Sequence, residues 1–143
     1  MAIDITAETL IVRPRGEVAV YVIDPANDTE WIGGVVESRK LTDGEMAVGS
    51  RVARTARFLG RDIHYTTEVI ALDEGKRVSM TADKPFPMEI TYEFEDSDGG
   101  TLTRVRVQGE GSGFFRVASP LLAPMVRRNV SGDLQRLKAQ LER

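Results

Sequence analysis

The sequence has no cysteine and a single histidine among its 143 residues. The first absence removes disulfides, thiolate nucleophiles and zinc–thiolate sites, and fits a reducing compartment. The second leaves too few ligands for a histidine-rich metal centre, so neither a metal nor a cofactor is expected. No apolar run is long enough for a membrane span. Met1 to Thr9 carries Asp4 and Glu8 and lacks the basic start and apolar core of a secretory signal, so the chain is expected to be cytoplasmic. Strong positive charge is missing as well. The formal net charge is -3, and the arginines are interleaved with acids, which argues against a nucleic-acid partner. The Arg127-Arg128 pair reads as a solvated helix face. No repeat or low-complexity segment is present, and 41% apolar with 29% charged residues suits an ordinary globular domain.

What the sequence does contain is one long amphipathic segment over residues 119–141. Leu122, Val126, Val130, Leu134, Leu137 and Leu141 recur at steps of three and four and share one stripe, while Arg127, Arg128, Gln135, Arg136 and Lys138 lie off it. Leu121 and Met125 widen the apolar arc beyond what one-sided packing needs. Ser119 is the expected cap, with Pro120 in the first turn, and Pro124 should kink the helix or delay its start. Gly132 inside the helix is expected to mark close approach to a sheet.

Most of the preceding chain reads as strands. Ile3, Ile5, Ala7, Thr9 and Ile11 alternate with polar residues or Leu10, the period of a half-buried strand. Pro14 and Glu17 suit the start of a short helix ending near Ile23, with Val18, Tyr21 and Val22 on its buried side. Asp24-Pro25 stops that helix, and Asn27 with Glu30 resembles a capping box for a second one ending near Trp31. Strands are then expected at 35–42, 51–59, 62–72, 76–82, 88–95 and 101–108, with breaks rich in glycine and proline. The expected architecture is α+β: a single domain over 1–143, whose curved seven-stranded antiparallel sheet wraps around the long C-terminal helix. Two short helices lie between strands 1 and 2, and a cavity lies between sheet and helix.

Two hairpins can be set in register. A Gly60-Arg61 loop with glycine first suits a type II′ turn, which places Phe58 opposite Ile63, Ala56 opposite Tyr65, Arg54 opposite Thr67 and Val52 opposite Val69 on an apolar face. His64 then falls on the outer face. A loop centred on 96–99 sets Met88, Ile90, Tyr92 and Phe94 against Val107, Val105, Thr103 and Thr101, with Arg104 and Arg106 outward near Glu89 and Glu93. Arg54 on the inner face needs a partner. Glu37 is the nearest candidate if Val35, Glu37 and Arg39 turn inward, and a place at the cavity rim is the other reading of Arg54.

Taken in order, several local motifs then look familiar. They are Ile11-Val12-Arg13-Pro14 into Val18, Val22-Ile23-Asp24-Pro25 through Trp31, Val48-Gly49-Ser50-Arg51, Phe58-Leu59-Gly60-Arg61, Gly99-Gly100-Thr101 to Thr103, and Asp133-Leu134-Gln135-Arg136-Leu137-Lys138 to Leu141-Glu142. Together they resemble the polyketide cyclase/dehydrase and lipid-transport family of the START-like, or SRPBCC, superfamily. The resemblance covers nearly the whole chain and implies a helix-grip fold with a deep apolar cavity for lipids, polyketides, hormones or other hydrophobic molecules. It supplies no universal catalytic motif.

The leading expectation is therefore binding or carriage of a small hydrophobic ligand. The expected lining is Phe58, Tyr65, Met80, Met88, Ile90, Tyr92, Met125 and Asn129, with Trp31 near the mouth and Arg54 as a contact for an anionic head group. An aromatic cyclase or dehydratase is the alternative, with Tyr65, Tyr92, Arg54 and Glu37 as candidates for proton transfer. A chaperone-regulator or toxin-like protein acting through its outer surface is the third reading. As partners, a small hydrophobic molecule and no nucleic acid are expected, in a monomer or homodimer.

Overall fold

The computed structural model describes residues 2–58, 60–84, 87–110 and 119–143, with the side chains at 2, 58, 110 and 119–122 outside that description. The alternating N-terminal segment forms β1, Ala2–Ile11. Helix α1, Arg15–Ile23, follows, with Pro14 at its cap rather than in its first turn. A 3-10 turn, Pro25–Asn27, leads into the single turn of α2, Asp28–Trp31. The expected capping box does not form. The Asn27 amide donates to the Tyr21 carbonyl at 3.1 Å, and Glu30 accepts from the Tyr21 hydroxyl at 2.7 Å. Asp24 does the capping instead, accepting from the Ala26 N–H at 3.0 Å.

Six strands follow: β2 Val35–Lys40, β3 Arg51–Phe58, β4 Arg61–Asp73, β5 Arg77–Ala82, β6 Met88–Ser97 and β7 Gly100–Glu110. The long amphipathic segment is α3, Ser119–Leu141. The seven strands form one sheet in the order β1-β7-β6-β5-β4-β3-β2, and every neighbouring pair is antiparallel. The connection through α1 and α2 therefore carries the chain from one edge of the sheet to the other.

The first hairpin turns one residue earlier than expected and the second one residue later. Phe58 pairs with Arg61, Ala56 with Ile63 and Arg54 with Tyr65, so Gly60 directly precedes β4 rather than opening the loop, which departs from the expected type II′ arrangement. Its φ of 76° is the positive value expected. Ser97 pairs with Gly100, Phe94 with Thr103 and Ile90 with Val107 in the second hairpin. Each register is shifted by two residues. Because side chains alternate with a period of two, such a shift leaves every residue on its expected face. Exposed His64 on the outer face, hydrogen-bonded to Thr55 at 3.0 Å, fits that assignment. Arg104 and Arg106 do point outward, but their partners are Glu8 and Asp4 of β1.

Helix α3 lies against β1 and α2. Leu134, Leu137 and Leu141 are 1%, 0% and 9% exposed and pack with Ile11, Val18, Val22 and Phe94. Each fully buried leucine stabilises the fold by about 1.5–3 kcal/mol. Polar bonds fix the helix end: Lys138 Nζ donates to the Leu10 carbonyl and Arg13 Nε to the Leu141 carbonyl, both at 2.6 Å. The helix is continuous through Pro124 and starts at Ser119, so the expected delay does not occur, while the side chain of the expected Ser119 cap lies outside the described residues. Gly132 does not mark approach to the sheet either, since an added Cβ would meet only the Arg136 guanidinium, at 3.5 Å.

The glycines at 60 and 100 separate two kinds of constraint. Nothing lies within 4 Å of a Cβ added at Gly60, so Gly60→Ala strains only the positive φ. At Gly100 an added Cβ overlaps the Ile11 carbonyl, backbone that cannot swing away. Urea denaturation should show a loss of about 1 kcal/mol for Gly60→Ala and at least about twice that for Gly100→Ala. Equal losses would contradict this distinction.

Candidate ligand-binding site

Met125, on the wider apolar arc of α3, faces a space that the sheet does not fill. A cavity of about 620 Å³ lies there, walled by the inner face of the sheet, the 31–34 segment and residues 125–136 of α3. Trp31, Arg54, Tyr65, Met80, Met88, Ile90, Tyr92, Met125 and Asn129 all line it, and the side chain of Phe58 lies outside the described residues. They do not all sit as expected. Trp31 is 2% exposed and belongs to the core rather than the mouth, with its ring edge-on to Tyr92 at 5.9 Å between centroids. Its position on α2, behind the Asp24-Pro25 stop, turns it under the sheet. Asn129 is exposed on α3, at the rim.

Arg54 is neither at the rim nor paired with Glu37. It is 8% exposed, and its Nε donates to Asp28 Oδ2 at 2.7 Å, while Nη1 donates to Thr67 Oγ1. A bulge between Val35 and Glu37 explains the missing partner, because the extra residue turns Ser38, not Glu37, to the side of Arg54. Glu37 is exposed on the other side. Asp28, 1% exposed, also accepts from the Ser38 hydroxyl at 2.8 Å. Burial pushes its carboxyl above the ordinary range against the opposing pull of Arg54 and Ser38. The ion pair joins α2 to the middle of β3.

Asp133 is the second carboxylate that sequence reasoning missed. It accepts from the Gly33 N–H at 2.8 Å and from Arg136, whose Nε donates to the Trp31 carbonyl at 3.0 Å. These bonds tie α3 to the segment between α2 and β2. Burial pushes the Asp133 carboxyl up to about 6, with Gly33 and Arg136 pulling the other way. Both acids left traces in the sequence. Asp28 stands three residues before Trp31 on one helical turn, and Asp133 stands three after Val130 and four before Leu137, on the flank of the apolar stripe. Burial also raises the phenols of Tyr65 and Tyr92, so both hold their protons at neutral pH. No group of three or more acids, histidines or cysteines able to hold a metal ion occurs among the described residues. No helix of the described residues is long and apolar enough to cross a membrane.

A curved antiparallel sheet gripping a long C-terminal helix over an apolar cavity, with two short helices between the first two strands, is the helix-grip arrangement of START-like proteins. The chain belongs to the family described as Polyketide cyclase / dehydrase and lipid transport, whose model matches residues 2–142. No curated protein matches the sequence significantly. Solved structures share its fold across nearly their whole length. The Zhui aromatase/cyclase from a Streptomyces species is 14% identical, with 100% of this chain and 95% of that one covered at a TM-score of 0.83. A protein from Thermus thermophilus is 17% identical, with 96% of each chain covered and a TM-score of 0.80. Ara h 8.0201 is 14% identical over 99% of this chain and 98% of its own, at a TM-score of 0.76.

The raised Asp133 carboxyl carries a stability consequence with a definite sign. The folded protein holds this proton up to about pH 6, whereas the unfolded chain releases it near the ordinary value of 3.8. Folding is thus favoured by this group at low pH, and that contribution is lost as pH rises from about 4 through 6. Asp133→Asn should remove a fall on the order of 2 kcal/mol across that window, read by denaturant titration at several pH values. An unchanged pH profile in the variant would refute the assignment.

Proposed function

We propose that the protein binds and carries a small hydrophobic molecule in the cavity beneath α3. The observation that carries this reading is the cavity itself: about 620 Å³ of space whose walls are mostly apolar, with polar groups among them that include Asp28, Arg54, Tyr65, Tyr92 and Asp133. Sites for small organic ligands have volumes of about 300–1,000 Å³ and this mixture of apolar wall and few polar groups. Met80, Met88 and Met125 give the wall unbranched, polarizable side chains that adapt to irregular shapes. The family description, which includes lipid transport, supports an apolar cargo.

A cyclase or dehydratase acting on a polyketide-like molecule is the second reading, and one observation favours it. Asp133 lines the cavity and burial pushes its carboxyl up to about 6, which suits a proton acceptor in such chemistry. The fold shared with the Zhui aromatase/cyclase is compatible with it. Carriage is preferred because the cavity's described carboxylates serve as ties between elements, Asp28 Oδ2 bonded to Arg54 and Ser38 and Asp133 Oδ1 bonded to Gly33 and Arg136.

The uncharged dye Nile red should bind the folded protein with a blue-shifted, enhanced emission. Met125→Trp, which fills space on the α3 wall, should weaken that binding by about tenfold, and Tyr92→Ala should alter it while the fold is retained. Absence of uptake of either the dye or a long-chain alcohol at near-millimolar concentration would remove the carrier reading.

A further inference from the structure

The seam between the 31–34 segment and α3 belongs both to the cavity and to the surface. Gly33 and Gly34 line the cavity and are exposed to solvent, and neither has a side chain that could plug the seam. Two side chains of α3 close it instead. Asp133 Oδ1 accepts from the Gly33 N–H at 2.8 Å and from Arg136, whose Nε donates to the Trp31 carbonyl at 3.0 Å. Both side chains line the cavity and reach water, Asp133 18% and Arg136 48% exposed. Glycine at position 33 is a condition of this clasp, because an added Cβ would overlap Arg136 Nη2 and stand 3.1 Å from Asp133 Oδ1.

The two sides of the seam are held differently. The segment is fixed to the sheet, since the Gly34 carbonyl accepts from the Arg57 N–H at 2.7 Å and both Trp31 and Val35 are buried. On α3, the polar bonds that the described residues make to the rest of the fold all lie at Asp133 or beyond it. The stretch before it rests on Ile3 and Ile5 of β1 through Ala123, Met125 and Val126, contacts that have no preferred direction. Asp133 and Arg136 are thus the first polar tie met along the helix from the cavity wall. Because both side chains reach water, each of their bonds can be exchanged for one to solvent, which keeps the cost of opening small. Building on the hydrophobic-ligand reading, we propose that this clasp is the gate of the cavity: cargo enters and leaves between α3 and the 31–34 segment when Asp133 and Arg136 swing off Gly33 and Trp31.

Stopped-flow mixing with Nile red reads both rates of exchange. The φ of Gly33 is not positive, so Gly33→Ala strains no backbone, and its methyl displaces the Arg136 guanidinium. Association and dissociation should both quicken by at least about fivefold. A methyl that merely disturbed the wall would speed dissociation alone, because the way in would be unaltered. The opposite variant locks the gate. The chain has no cysteine, so Gly33→Cys combined with Asp133→Cys offers a single disulfide across the seam. Its oxidised form should exchange dye at least about tenfold more slowly in both directions, and reduction should bring the rates back to at least the native values. If Gly33→Ala fails to fold, the oxidised and reduced forms of the cysteine pair still decide. A change in dissociation alone, or rates that the cross-link leaves unmoved, overturns the gate and leaves the carrier reading standing. A native protein that takes up no dye removes both.

Discussion

The ion pair between Asp28 and Arg54 is the interaction on which the rest of the cavity depends. Arg54 sits in the middle of β3 facing inward, where an unpaired guanidinium would cost several kcal/mol. Asp28 can reach it only because the chain breaks at Asp24-Pro25 and rewinds for one turn. That turn brings Trp31 under the sheet against Tyr92 and places Gly33 and the Trp31 carbonyl where α3 can bond to them. One buried pair thus couples the sheet, the short helices and the long helix. It also holds a buried polar cluster beside a space whose walls are mostly apolar.

The empty space has its own physical cause. The stripe of α3 divides its work along its length, with Leu134, Leu137 and Leu141 buried in the core and the segment around Met125 and Val130 on the cavity wall. Helix α3 rests chiefly on β1 at one edge and on α2 at the other side, and its leucines reach Phe94 of β6. Collapse onto β3, β4 and β5 would require moving Asp133 away from Gly33 and breaking the bonds of Lys138 and Arg13 at the helix end. Polar contacts of the C-terminal half of the helix thus hold it off those strands.

Much of this architecture was legible in the residues, and the misses have identifiable reasons. Alternation fixes faces, so the inward placement of Arg54, Tyr65 and Tyr92 follows from parity even though both hairpin registers differ by two. A glycine signals a turn without saying which turn position it holds, hence the slip at Gly60. The partner of Arg54 was hidden by the bulge near Val36, since an added residue inverts the parity of β2 without a mark in composition. Asp28 and Asp133 were passed over because an acid next to an apolar stripe reads as solvated until packing shows what covers it. The same ignorance of packing placed Trp31 at the mouth when it belongs to the core. Which molecule fills the cavity depends on the three-dimensional arrangement of a few polar atoms, and no local motif encodes that.

If the Asp28–Arg54 pair organises the cavity, its two members must be strongly coupled. A double-mutant cycle with Asp28→Leu and Arg54→Met, read by chemical denaturation, tests this directly. Each single substitution strands a buried charge and should destabilise the fold by about 3–5 kcal/mol, while the double variant should lose at least about 2 kcal/mol less than the two losses combined. Additive losses would show that the two residues act independently, and would contradict the account.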